Sequence, residues 1–323
     1  MKKDHDPSFA PPGARYSGLL PQKGWPVRNL KFLRHRVVPG MFRRRAGNVL
    51  EPVLAPPESD KVRITWIGHA SFFLQFAGHS VIVDPNWTKW HGPVKRHRHP
   101  GLDLHGLPEV DLVLVTHAHF DHLHKPSLKI LQAREGVVVP RGSGSLVKKL
   151  GFPATHEMGV WDQLSFDQLE IVHTPSHHWG ARFLHDTHRD YGGYIVRAGG
   201  KSVFHCGDSA YFGGFAEIGV KHNIDIALMP IGAYESPSGR DVHMNPEEAA
   251  RAFIADRDVL ATGRVRKWEY SHGFLEISEP RGAKKAGGVF VHISEFKNRG
   301  RRKIRDDDRA HRSQSSLAPT YHC

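Results

Sequence analysis

Apolar residues in this chain gather in short β-branched runs and not in long helical stripes. Residues 62–68 (VRITWIG), 71–76 (SFFLQF) and 80–85 (SVIVDP) lie close together. Breaks at Gly68 and Gly78 make them read as three strands joined by tight turns. Further strands are expected at Leu112–Val115, Val137–Val139, Leu169–His173, Tyr191–Arg197, Ser202–Cys206 and Ile226–Met229, the most apolar of them suited to burial on both faces. Ser127–Ala133 and Ser143–Leu150 suit short helices. Asn245 as N-cap, Pro246 at the first helical position and Glu247-Glu248 in the first turn open another, to about Ala255. An opening run of strands and then alternating strands and helices predict an α/β layered fold. Residues 1–60 hold neither periodicity for long, and 281–323 offer one candidate strand, Val289–Ile293.

With 323 residues and 39% hydrophobic content, the chain can bury a sizeable core. The expected organisation is a basic, Pro-rich extension over 1–60, a catalytic domain over 61–280 and a basic, disordered tail over 281–323. The net charge of +12 raises the question of nucleic acid, but it is confined to the ends. Residues 1–50 carry eleven Lys/Arg against two acids and 281–323 eleven against four, which leaves −4 for the span between. A nucleic-acid-binding domain is therefore not expected. Phe32–Arg45 interleaves apolar residues with five arginines, a mixture suited to an anionic membrane surface or to a solvated arm around the domain. Cys206 and Cys323 cannot form a disulfide framework, which fits a reducing compartment. No stretch reads as a signal peptide or spans a bilayer, so the expected location is cytoplasmic or peripheral at the inner membrane.

The chemistry is concentrated in residues 112–124, LVLVTHAHFDHLH. A buried-strand run ends at Thr116, and His117, His119, Asp121 and His122 come directly after it. Imidazole nitrogen and carboxylate oxygen suit zinc and similar first-row metals, with iron and manganese as alternatives. In an extended segment His117, His119 and Asp121 share one side and His122 faces away, which suits two metals better than one. Other polar residues end strands too: Asp84, His177 and His178 in TPSHHWG, and Asp208. His173 lies within a strand and reads as a core residue, as does Cys206.

His117–His122 resembles the HxHxDH signature of the metallo-β-lactamase superfamily. Trp66–Ser71 (WIGHAS), Asp84-Pro85, Gly92-Pro93, Pro230–Tyr234 (PIGAY) and His243–Ala249 (HMNPEEA) are similar to the branch containing N-acyl-phosphatidylethanolamine phospholipase D. The resemblance covers roughly residues 61–262. It implies an αβ/βα four-layer sandwich with a dinuclear zinc site along the sheet edges. One metal would be held by His117, His119 and His178, with His177 as the fallback, and the other by Asp121 and His122, with Asp208 bridging. It brings His69 and Asp84 towards the site, Asp84 orienting a ligating histidine through its ring N–H. Asp121 would also orient the attacking nucleophile, and His243 would contact the substrate phosphate.

Two departures matter. Where the branch carries a last metal-binding histidine in a segment HWGTF, this chain has GRVRKWEYSHGFLEISEP, in which His272 is the one surrogate. SPSGRDV at 236–242 replaces a bulkier insert that shapes the substrate groove. The resemblance therefore implies a phosphodiesterase of phospholipase D type, acting on N-acyl-phosphatidylethanolamine-like glycerophospholipids, more weakly than it implies the fold. A lactonase for sugar-phosphate lactones, a nuclease, and a metal-impaired relative that binds membrane or nucleic acid through its basic ends are the alternatives. A homodimer is compatible with all of them.

Overall fold

The computed structural model describes residues 25–46, 54–58, 60–183, 186, 188–232, 242–254, 264–269, 272–276 and 289–292. Among the described residues, the strands form two six-stranded sheets and two small pairs, Trp90–His91 with Val94–Lys95 and Arg264–Glu269 with His272–Glu276. The first runs in sequence order through β1 (Val62–Gly68), β2 (Ser71–Phe76), β3 (His79–Val83), β4 (Leu112–Leu114), β5 (Val137–Pro140) and β6 (Thr155–Met158). The second contains β7 (Gln163–Phe166), β8 (Leu169–Thr174), β9 (Gly193–Ala198), β10 (Lys201–His205), β11 (Ile226–Met229) and β12 (Val289–His292). Both open as antiparallel meanders, β1–β3 and β7–β10, and both then continue with parallel strands.

Side-chain alternation explains the layers. Phe72, Leu74, Val81, Leu112, Leu114 and Val138 face Leu169, Ile171, Tyr194, Val196, Val203 and Leu228 across the space between the sheets. The opposite face of the first sheet, with Phe73, Ile82, Val113 and Val137, packs on Leu128 of helix Lys125–Ile130 and Val147 of helix Gly144–Val147. The outer face of the second, with Val172, Ile195, Phe204 and Ala227, packs on Phe215 and Ile218 of helix Gly214–Lys221 and Ala249 of helix Pro246–Ile254. This is the αβ/βα sandwich, and β4 and β5 are apolar throughout because both of their faces are covered. The last of these helices starts on a reciprocal cap, with the Glu248 amide donating to Asn245 Oδ1 at 2.9 Å and the Asn245 amide to Glu248 Oε2 at 3.2 Å.

The N-terminal segment differs from its expectation. Trp25–Phe32 is helical, passes through a π-helical stretch, Leu33–Val37, and resumes as Val38–Phe42. It is joined to the chain between β3 and β4 by Lys95 Nζ, which donates to the carbonyls of Met41 and Arg43 at 2.9 and 2.7 Å. Val289–His292 is a strand, as its composition suggests, and the rest of 281–323 lies outside the described residues.

Candidate metal centre

The strand β4 ends at the sheet rim, and Thr116 anchors the metal loop that begins there. Its amide donates to Asp84 Oδ1 and its hydroxyl to Asp84 Oδ2, both at 2.7 Å. With its proton committed to Asp84, Thr116 Oγ1 can only accept from His117 Nδ1, 2.9 Å away, so the His117 Nε2 lone pair is left for the cleft. The same logic repeats at two more rings. His122 Nδ1 lies 2.7 Å from Asp84 Oδ2, and His178 Nδ1 lies 2.9 Å from the Val242 carbonyl. Each ring thereby carries its proton on the outward nitrogen and aims Nε2 inward.

His119 is turned the other way and presents Nδ1, 2.9 Å from His117 Nε2 and 3.4 Å from His178 Nε2. The ligating atoms of His117, His119 and His178 lie within 4.8 Å of one another. Beside this trio, overlapping groups of the same compactness are formed by His117, His122 and Asp208, by His178, Asp208 and His243, and by His69, Asp121 and His122. His122 Nε2 is buried and makes no hydrogen bond, although Asp208 Oδ2 stands 3.3 Å away. An inward-facing buried nitrogen of this kind, among imidazoles and carboxylates, fits a bound cation.

The electrostatics divide the cluster. Burial, with neighbouring imidazoles, holds His117 and His178 well below the ordinary histidine range and lowers His119 to about 4. For His122 burial works in the same direction, but the carboxylates of Asp208, Asp84 and Asp121 outweigh it and raise the ring well above its usual value. Asp121 and Asp208 are both lowered, against the opposing effect of burial, chiefly by the His122 imidazole.

The structure thus brings together His117, His119, Asp121, His122, His178 and Asp208, and sets His243 at their margin with Nε2 3.3 Å from Asp208 Oδ2. His177 does not join them; its amide is bonded to Ser209 Oγ and its ring faces Phe212. His272 begins the strand His272–Glu276, and its side chain lies outside the described residues, as do 233–241, which hold Ala233 and Tyr234 of PIGAY and all of SPSGRDV except Val242. Cys206 is a buried core thiol. His173 is buried against Tyr194, but neither of its ring nitrogens is hydrogen-bonded.

Two supporting residues have no sequence signal. Asn86 Nδ2 donates to the Asp121 carbonyl at 2.7 Å, and Arg182 Nη1 donates to the carbonyls of Ala118 and Leu123, both at 2.9 Å. Each holds the 117–123 loop by its backbone, an interaction that leaves no mark on residue type along the loop.

A family model described as the beta-lactamase superfamily domain matches residues 79–257. An uncharacterized protein of Mycobacterium tuberculosis is 32% identical over 216 residues, 64% of this chain and 57% of its own length. The N-acyl-phosphatidylethanolamine-hydrolyzing phospholipase D 1 of Caenorhabditis elegans is 31% identical over 207 residues, 57% of this chain and 58% of its own. A metal-dependent hydrolase of Pyrobaculum arsenaticum is 32% identical over 198 residues, 59% of this chain and 78% of its own. The match thus spans little more than half the length of the first two relatives.

Proposed function

Because the chain belongs to the beta-lactamase superfamily, we propose that it is a metal-dependent hydrolase that cleaves phosphodiesters on the phospholipase D side, with a glycerophospholipid of the N-acyl-phosphatidylethanolamine type as substrate. The observation that carries this is the convergence of three proton-committed imidazoles with His119, Asp121 and Asp208 from the strand ends of both sheets. His117, His119 and His178 would hold one zinc, Asp121 and His122 a second, and Asp208 would stand between the two. When bound, such ions supply Lewis acidity, lowering the pKa of water towards 7 and offsetting phosphate charge.

The chain's own groups do the positioning. Asp84 and the Val242 carbonyl keep His122 and His178 from rotating, and Asn86 and Arg182 keep the loop in place. Asp121, with its carboxylate ionised at neutral pH, accepts a hydrogen bond from the attacking water and directs its lone pair at phosphorus. His243, part-exposed beside Asp208, reaches a phosphate oxygen of the substrate.

The lipid reading has support beyond the relatives. Val27, Leu30, Leu33 and Phe42 are exposed on the N-terminal helical segment, among Arg28, Lys31, Arg34 and Arg36. In the metal loop and just after Trp179, Phe120 and Phe183 are also exposed and stack edge to face at 5.5 Å. Apolar side chains amid cations suit a peripheral contact with anionic bilayers. No helix among the described residues is long and apolar enough to cross a membrane.

The test is the zinc-loaded protein mixed with vesicles containing N-acyl-phosphatidylethanolamine. Release of N-acylethanolamine and phosphatidic acid, abolished by Asp121→Asn, is the expected result. Hydrolysis of a soluble lactone with no lipid turnover would replace the substrate assignment, and a folded protein that binds zinc but hydrolyses neither would overturn it.

A further inference from the structure

The trio His117, His119 and His178, with the shared Asp208, offers four donors to one metal, whereas among the described residues Asp121, His122 and the same Asp208 offer three to the second. Zinc in protein sites is usually four-coordinate, so a further donor near Asp121 and His122 has chemical meaning. The turn between β1 and β2 delivers one. His69 Nε2 lies 3.0 Å from Asp121 Oδ2, the His69 ring stands 5.1 Å from that of His122, and the ligating atoms of all three residues fall within 4.8 Å of one another.

Local structure shows that this approach is built in. His69 has φ 53°, the left-handed region that a non-glycine residue adopts rarely and typically at functional sites. The preceding Gly68 lies at φ 129°, a backbone conformation that side-chain-bearing residues rarely adopt, so glycine is strongly favoured there. The β1–β2 register shifts between Trp66 and Gly68, and Trp66 Nε1 donates to the His69 carbonyl at 2.9 Å. These four features turn the chain so that the imidazole leaves the sheet edge towards Asp121. Its side chain keeps 41% exposure, which places it on the open side of the cleft and not in the core.

We infer that His69 is a direct protein ligand of the metal held by Asp121 and His122, completing the second position from the first turn of the domain. The inference rests on the dinuclear reading above. A merely orienting hydrogen bond from His69 to the Asp121 carboxylate is the competing role, and the two differ in what they do to metal affinity.

The experiment uses the full chain with His69→Asn, because asparagine tolerates the left-handed backbone while removing the imidazole; His69→Gly, equally free there, takes its place if the asparagine protein does not fold. Zinc per folded chain is measured by elemental analysis, and stepwise affinities by competition with a chromophoric chelator. Wild type is expected to hold about two zinc and His69→Asn about one, with the weaker step reduced at least about 100-fold and the tighter step unchanged. A reduction smaller than about 100-fold, the range expected from losing a supporting hydrogen bond, overturns the ligand assignment while leaving the dinuclear reading in place. Wild-type protein that holds one zinc or none overturns both. In cobalt-loaded protein, visible absorption bands that do not change on His69→Asn also overturn the assignment.

Discussion

Asp84 Oδ2 lies 2.7 Å from His122 Nδ1 with both side chains fully buried, so one carboxylate on the end of β3 sets the tautomer of a histidine thirty-eight residues later. The same carboxylate fixes Thr116 and, through it, His117. Asp84→Asn replaces an oxygen acceptor with a group that can donate, and it removes the charge facing His122. We expect metal affinity to fall about ten- to a hundred-fold with far-UV circular dichroism preserved. Unchanged affinity in a chelator competition would show that the rings orient without it.

The two halves of the cluster should release metal at different pH. In the metal-free protein His117, His119 and His178 are held below the ordinary histidine range, so protons compete little for them in mild acid. His122 is raised, so a metal there must displace a proton, and its binding weakens as pH falls. Dialysis at about pH 5.5 is therefore expected to leave one metal per chain where about pH 8 leaves two. Loss of both in parallel across that range would contradict the division.

His173 should make the fold acid-sensitive. Burial lowers it from 6.5 to about 4, so between those values the unfolded chain binds the extra proton and stability rises with pH. On acidification through this window the folded state loses up to roughly 3 kcal/mol from this group alone. His173→Phe, which keeps a ring against Tyr194, is expected to flatten the difference between urea unfolding at the two ends of the window. Parallel pH profiles for the variant and wild type would refute it.

Arg182 clamps the metal loop through two carbonyls and lies with its guanidinium 4.1 Å from the centre of the Phe120 ring. Arg182→Gln cannot span both acceptors. A loss of about 1.5–3 kcal/mol in unfolding free energy is expected, together with weaker metal retention. A stable variant with normal metal content would mean that the loop holds itself.

How much of the molecule is legible in its sequence depends on how strongly each feature constrains residue type. Buried strands such as Leu112–Leu114 and Ile226–Met229 admit little besides aliphatic residues, so they stand out, as does the HxHxDH run. The strands Thr155–Met158 and Gln163–Phe166 carry no comparable signal, because over four positions they alternate exposed residues with part-buried ones, or in one case with the buried Met158. The helix from Trp25 is hidden because its π-helical stretch and the Pro39-Gly40 pair break any 3.6-residue period. In the candidate site, residue chemistry marks His117, His119, Asp121 and His122, and resemblance selects His178 over His177. The clamps Asn86 and Arg182 act on backbone oxygens, which any loop sequence provides, and so are invisible.

The pairing of β11 with β12 bears on synthesis. Ile226–Met229 aligns in parallel with Val289–His292, sixty-three residues further along. A nascent chain emerging from the ribosome would assemble the first sheet, with Asp84 and the metal loop, while the second still lacked its border. Until residue 292 is released, β11 presents an unpaired apolar edge, the kind of surface on which two unfinished chains can pair with each other.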